Sequence, residues 1–224
     1  MKGRDTSRDP GGNLVRNPRH LSAFVHEALS RMIREREVRA GDTIVESHVA
    51  ELLGVSRTPL REAMQRLEAE GLLQKGSHRS YEVRRVDLKE YLQSLRVREV
   101  LEAEAAVLAL ERFSLERLEE ARAAILALDS VQPYDKLAHW RADDLVHNLF
   151  ILDCGNDVMT RLLLSLRVTT NLFEVERLAD RLVPDSREHE AILAAIESRN
   201  AKKTRLAVAA HIRSLFDFAV KTMT

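Results

Sequence analysis

The 224-residue chain has one cysteine, Cys154, so no disulfide can staple it internally and a reducing compartment is the default. It has only 8 Gly and 5 Pro, which excludes a turn-rich or low-complexity chain and favours a globular protein rich in helix. Charges interrupt every hydrophobic segment, and none approaches the roughly 18 apolar residues of a membrane span. The first twenty residues hold no apolar run of the kind a signal peptide needs, so the expected location is the cytoplasm. Internal repeats and Gly-rich phosphate loops are also missing. Net charge is zero, but unevenly spread: residues 1–86 carry 16 Lys and Arg against 12 Asp and Glu, leaving 19 and 23 for the remainder. A mildly basic head on an acidic body is compatible with phosphate contact by the head, though ordinary scatter produces the same imbalance.

With 45% hydrophobic and 31% charged residues, the chain can bury a sizeable core. Residues 1–20 lack apolar periodicity and read as a flexible leader. Leu21, Val25, Ala28, Leu29, Met32 and Ile33 then recur at helical spacing, predicting a helix to about Glu37. After the turn Ala40-Gly41-Asp42 and the β-branched stretch Thr43 to Val45, Val49, Leu52 and Leu53 predict a short helix that Gly54 stops. A second helix follows at once, with Ser56 as a cap and Pro59 in its first turn. Gly71 ends it, and Leu72 to Lys75 and Tyr81 to Arg84 predict a hairpin. From Leu88 onward the pattern is helical throughout, broken near Ser114, at 129–133, near Gly155, around 180–185 and near Asn200, which predicts six helices. The fold class is therefore mainly α: a head at 21–86 with a helix-turn-helix and hairpin, and a helical body at 87–224.

Two sets of residues carry chemistry. Arg57 and Arg61 lie four apart near the start of the second short helix with Thr58 beside them, so one guanidinium can fork onto guanine while the other grips phosphate. The same spacing also suits a solvated charged face. In the body, Asp143 and His147 lie one helical turn apart and can share a cation, although such pairs are more often solvated. His189 and His211 fall on later helices and can face inward to complete an N/O ligand set. His139, Trp140, His20 and His26 read as packing or surface residues, and Cys154 as a small buried hydrophobe.

The stretch VESHVAELLGVSRTPLREAMQRLEAEGLL at 45–73 resembles the winged helix-turn-helix of the GntR family. That resemblance implies DNA contacts by Arg57, Thr58 and Arg61 and minor-groove contacts by His78 and Arg79 at the wing tip. The head departs from the family pattern at Ser47-His48, where a basic residue is common, and at Ser80, where Gly is usual. In the body, RVREVLEAEAA at 96–106, DDLVHNLFILDCGN at 143–156, EHEAILAAI at 188–196 and AAHI at 209–212 resemble the FCD ligand-binding domain of the FadR subfamily. Six helices suggest its shorter, VanR-like branch. By that resemblance Asp143, His147, His189 and His211 bind a divalent metal, zinc first, with manganese, nickel or iron as alternatives. Val146 replaces the usual aromatic before the first His.

Such a metal would keep open positions for a small carboxylate, and the family pattern makes Arg98 its second anchor, a guanidinium able to form two parallel hydrogen bonds. The alternative for Arg98 is a surface ion pair with Glu102. The resemblance thus implies a homodimeric regulator, expected to be a repressor, that binds a palindromic operator in double-stranded DNA and responds to a small organic acid. A metal-dependent enzyme is the rival class; no candidate acid or base beside the ligands supports it, and an enzyme has no need of the helix-turn-helix. A metal-free sensor of a larger ligand is the rival within the regulator class.

Overall fold

The structure is a computed structural model that describes residues 18–77, 80–128, 133–173 and 177–223. The chain divides into two compact units between Arg85 and Val86. In the first, α1 (Pro18–Arg34) precedes β1 (Thr43–Ile44), α2 (Glu46–Leu53), α3 (Arg57–Ala69), β2 (Leu73–Lys75) and β3 (Tyr81–Val83). The helix reaches three residues further back than its apolar stripe predicts, into the segment read as a leader.

Val25, Leu29 and Ile33 of α1 are buried, as are Leu60, Met64 and Leu67 of α3, the helix on which α1 packs. Gly54 closes α2 at φ 62°, the left-handed conformation that lets the chain turn sharply into α3. Ser56 stands at the N-cap of α3 with extended backbone, but its side chain makes no cap hydrogen bond. The three strands form an antiparallel sheet in the order β1-β3-β2, with Ile44 and Lys75 both opposite Tyr81.

The second unit holds six α-helices among the described residues: α4 (Leu88–Leu108), α5 (Leu115–Leu128), α6 (Lys136–Ile151), α7 (Asp157–Leu172), α8 (Leu182–Glu197) and α9 (Ala201–Met223). Asp87, Asp135 and Asn156 cap α4, α6 and α7 through side-chain bonds to backbone N–H groups in the first turn. The break expected around 180–185 lies earlier, because α8 begins at Leu182 and Pro184 sits within its first turn, where no N–H is required.

Phe113, Leu118, Ile125, Val146, Leu149, Phe150, Leu163, Ile192 and Val208 belong to one continuous core. Cys154 is buried in it with Sγ 3.4 Å from the Thr160 hydroxyl. Beside this apolar core runs a polar seam. Ser94, Arg98 and Glu102, spaced by four on α4, are all buried and face the bundle interior where His147, His189 and His211 also lie. No helix among the described residues is long and apolar enough to cross a membrane.

Candidate metal centre and nucleic-acid interface

Asp143 and His147 project from α6 one turn apart, His189 from α8 and His211 from α9. One ligand atom from each of the four lies within 4.8 Å of all the others. The ring centroids of His189 and His211 are 4.5 Å apart, and those of His147 are 5.6 and 5.3 Å from them. All three imidazoles are buried, and the Nε2 atom of each has no hydrogen-bond partner. Buried polar atoms are nearly always satisfied, so three orphaned nitrogens converging on one carboxylate call for a common partner. Oδ1 of Asp143 stands 3.4 Å from Nε2 of both His147 and His189.

The surroundings fix which ring nitrogen each group presents. Glu102, fully buried on α4, lies 2.6 Å from Nδ1 of His147. Burial opposes its ionisation, but Arg98 and His147 outweigh that and hold its carboxyl well below the usual range. An ionised carboxylate only accepts, so Nδ1–H of His147 must donate and Nε2 keeps its lone pair for a cation. Glu188 plays the same part for His211, 2.8 Å from its Nδ1.

Arg167 donates to Asp143 at 2.7 Å and to Asp144 at 2.5 Å, which orients the single carboxylate ligand. Against the opposing effect of burial, Arg167 and His147 hold Asp143 well below its ordinary value. For His189, burial and the neighbouring His211 push the pKa down to about 4, keeping the ring neutral as ligation requires. For His147 burial also disfavours the charged ring, but Glu102 prevails and the pKa rises.

The residues fit a divalent cation. Three imidazoles and one carboxylate form an N/O set suited to zinc and to neighbouring first-row metals, and four protein ligands leave room for an exogenous oxygen in an expanded shell. A second group, Asp185, Glu188 and His211, is also close enough to hold an ion. Its oxygens are engaged by Arg181, His211, Ser214 and His139, so it supports the first set.

Arg98 is not on the surface: it is 1% exposed, with Nε bonded to Glu102 at 2.5 Å and a terminal nitrogen bonded to Thr170 at 2.9 Å. Its partner is the Glu102 of the alternative reading, but the pair lies inside the bundle. Arg98 also lines a small cavity of about 50 Å³, together with Asp143, Tyr91, His139, Trp140 and Asp185. Of the four clustered residues, Asp143 therefore borders the same space as the guanidinium. His139, read from sequence as a packing or surface residue, is a cavity wall.

In the head, Arg57 and Thr58 are exposed in the first turn of α3, and Arg57 has no carboxylate partner among the described residues. Arg61 is 47% exposed and donates through Nε to Glu46 of α2 at 2.9 Å. Gln65, one turn on, is exposed as well. This polar face stands opposite the face on which Leu60, Ala63, Met64 and Leu67 are buried. Of the wing, Gly76 N–H donates to the Ser80 carbonyl and Ser80 N–H to the Ser77 carbonyl, closing the hairpin. His78 and Arg79 lie outside the described residues.

Motif reading missed Glu102 as a support, along with Glu188, Arg167, Arg181 and Asp185. For Glu102 and Asp185 the signal is a polar residue on the buried stripe of a helix, four residues from another: Ser94, Arg98 and Glu102 on α4, and Asp185 and His189 on α8.

A helix-turn-helix with an exposed arginine face, joined to a helical bundle with an interior polar site, defines a DNA-binding transcription regulator. Residues 21–83 match the family described as bacterial regulatory proteins, gntR family, and residues 93–214 match the FCD domain. The chain belongs to the GntR family, in the group whose second domain is an FCD domain. Its relatives are regulators, not enzymes. It is 27% identical over 83% of its length to the HTH-type transcriptional regulator LutR of Bacillus subtilis (strain 168), covering 95% of that protein. It is 25% identical over 86% of its length to a probable D-xylose utilization operon transcriptional repressor of Paenarthrobacter nicotinovorans, covering 85% of it. Among solved structures, E. coli McbR/YncC has the same fold with a TM-score of 0.73 at 20% identity, over 91% of this chain and 99% of that one. A putative GntR regulator from Rhodococcus sp. RHA1 gives 0.76 at 20% identity, over 90% and 98%.

Proposed function

We propose that this regulator is a cytoplasmic repressor that binds a palindromic operator as a homodimer and releases it when a small organic acid occupies a divalent-metal site in the FCD body. The observation that carries the reading is the convergence of three buried, partnerless Nε2 atoms with Asp143, beside a cavity that Arg98 also lines. A divalent ion held by Asp143, His147, His189 and His211 would supply a Lewis-acidic anchor for a carboxylate oxygen. Zinc suits the set best, with manganese, nickel and iron as alternatives. Arg98, already oriented by Glu102 and Thr170, faces the same space with its remaining N–H groups as a second anchor.

At the other end of the chain, Arg57, Thr58 and Arg61 are the DNA contacts of α3, with His78 and Arg79 assigned to the wing tip. In a dimer the two recognition helices would enter successive major grooves roughly 34 Å apart. Repression agrees with the name of the Paenarthrobacter relative.

The test is metal analysis of the purified protein, followed by operator titrations with and without small carboxylates. We expect divalent metal bound at close to one ion per chain. We also expect an acid that lowers operator affinity by about 1–3 kcal/mol in metal-loaded protein alone. An effector response that survives complete metal loss rejects the mechanism.

A further inference from the structure

Resting on the metal-anchored carboxylate reading, we propose that the cavity takes a zwitterion: a small carboxylic acid whose second polar group is a protonated amine held by Asp185. Asp185 is 5% exposed and lines the cavity with Arg98 and Asp143. It shares that lining with Asp143, one of the four proposed ligands, so a molecule anchored there and seated in the cavity meets it.

The Asp185 carboxylate is held rigidly and retains acceptor capacity. Its Oδ1 accepts both Nε and a terminal nitrogen of Arg181, whereas Oδ2 has a single protein partner, Nε2 of His139 at 3.1 Å. Nδ1 of His139 lies 3.0 Å from the Tyr134 hydroxyl. With Tyr134 donating to Nδ1, Nε2–H of His139 donates to Asp185, and the second lone pair of Oδ2 is left for a donor in the cavity. The remaining walls are mostly apolar: Tyr91 and Phe173 stack at 4.3 Å with Leu178, Leu215 and Trp140, and Thr170 and Asn171 are the other polar residues of the lining.

Charge decides which donor. Arg98, Arg167 and Arg181 are bonded to Glu102, Asp143, Asp144, Asp185 and Glu188, three guanidiniums against five carboxylates. With the imidazoles neutral, this network carries two negative charges, which a divalent cation cancels. A plain carboxylate then adds an uncompensated negative charge to a largely buried site, whereas an amino acid adds none.

The experiment uses the full-length, metal-loaded chain and two matched series differing only at the second polar group: propionate, lactate and alanine, then isocaproate, its α-hydroxy acid and leucine. Binding is read by calorimetry at millimolar ligand. We expect the amino acid to bind at least about tenfold more tightly than its deaminated partner in one series or both, with the hydroxy acid between them. Asp185→Asn keeps the bond to Arg181 through its amide oxygen, and its NH2 can donate to Nε2 of His139 once that ring carries its proton on Nδ1, donating to the Tyr134 oxygen. In this variant the preference should vanish while binding of the deaminated acids persists.

Equal binding along both series, provided it depends on metal, overturns the zwitterion while leaving the metal-anchored reading intact. A preference for the amine that survives in Asp185→Asn assigns the amine to the metal and also overturns it. Metal-independent binding, or none by any of the six acids, overturns both. If Asp185→Asn does not fold, the same ranking is read in Asp185→Ser, where the preference should likewise vanish.

Discussion

Glu102 and His147 share a buried hydrogen bond of 2.6 Å between a carboxylate with no exposure and Nδ1 of a ring with none. The contact fixes the tautomer that turns Nε2 toward Asp143, and through its other oxygen Glu102 also holds Arg98. One side chain thereby orients both a proposed metal ligand and the proposed effector anchor.

Glu102→Ala should weaken metal affinity by about 10–100-fold, measured by competition with a chelator of known strength. It also strands Arg98 in the interior, and loss of one member of a buried ion pair typically costs about 3–5 kcal/mol in denaturant unfolding. Unchanged metal affinity would show that His147 needs no carboxylate behind it.

His147→Ala should abolish metal binding and the effector response while operator binding persists, since the helix-turn-helix lies in a separate unit. Mass spectrometry under native conditions and operator titration read the two effects. A variant that keeps its metal argues that His147 lies outside the ligand set.

Metal removal should lower the melting temperature, and metal at about a hundredfold above its dissociation constant should restore roughly 2.7 kcal/mol. Affinity should fall as pH drops from about 8 to 6, because protons compete for the imidazoles. The competition comes first from His147, whose pKa lies above its ordinary 6.5, and last from His189, held down near 4. For the metal-free protein the signs oppose. The raised pKa of His147 contributes stability that is complete below 6.5 and is lost as pH rises through its folded value. The depressed pKa of His189 contributes stability that is present above 6.5 and is lost as pH falls toward 4. A metal affinity flat across that range would separate the site from its histidines.

Arg57→Ala and Arg61→Ala should each weaken operator binding by about 1–3 kcal/mol without altering thermal stability. Glu46→Ala should leave affinity equal or higher, because an exposed ion pair is worth only about 0–1 kcal/mol and Arg61 exchanges it readily. Anisotropy titrations over a salt series decide: if neither arginine matters, α3 is not the reading helix.

The head was the more legible part of the sequence. Gly54, Pro59 and the stripe Leu60, Ala63, Met64 and Leu67 locate the corner and the buried face by local stereochemistry alone, and the structure buries that stripe. The body's helices were legible for the same reason, except near 180, where Pro184 suggested a break but sits in a first turn. Hydrophobic periodicity treats every charged residue as solvated. It therefore assigned Arg98 and Glu102 to the surface as the alternative pair, although both are buried. His139 escaped for the complementary reason: Tyr134 is near it in the chain, but Asp185 lies on α8 and meets it only once α6 and α8 pack.

The bond from Arg61 to Glu46 has a bearing on how the protein moves along a genome. If Arg61 reads the operator as proposed, Glu46 would act as a resident phosphate mimic, engaging one guanidinium while the helix is off its target. Random stretches of duplex must displace that mimic for a backbone contact alone, whereas a matching guanine returns two hydrogen bonds for the same exchange. Sliding would thereby be kept loose, with arrest reserved for the correct base.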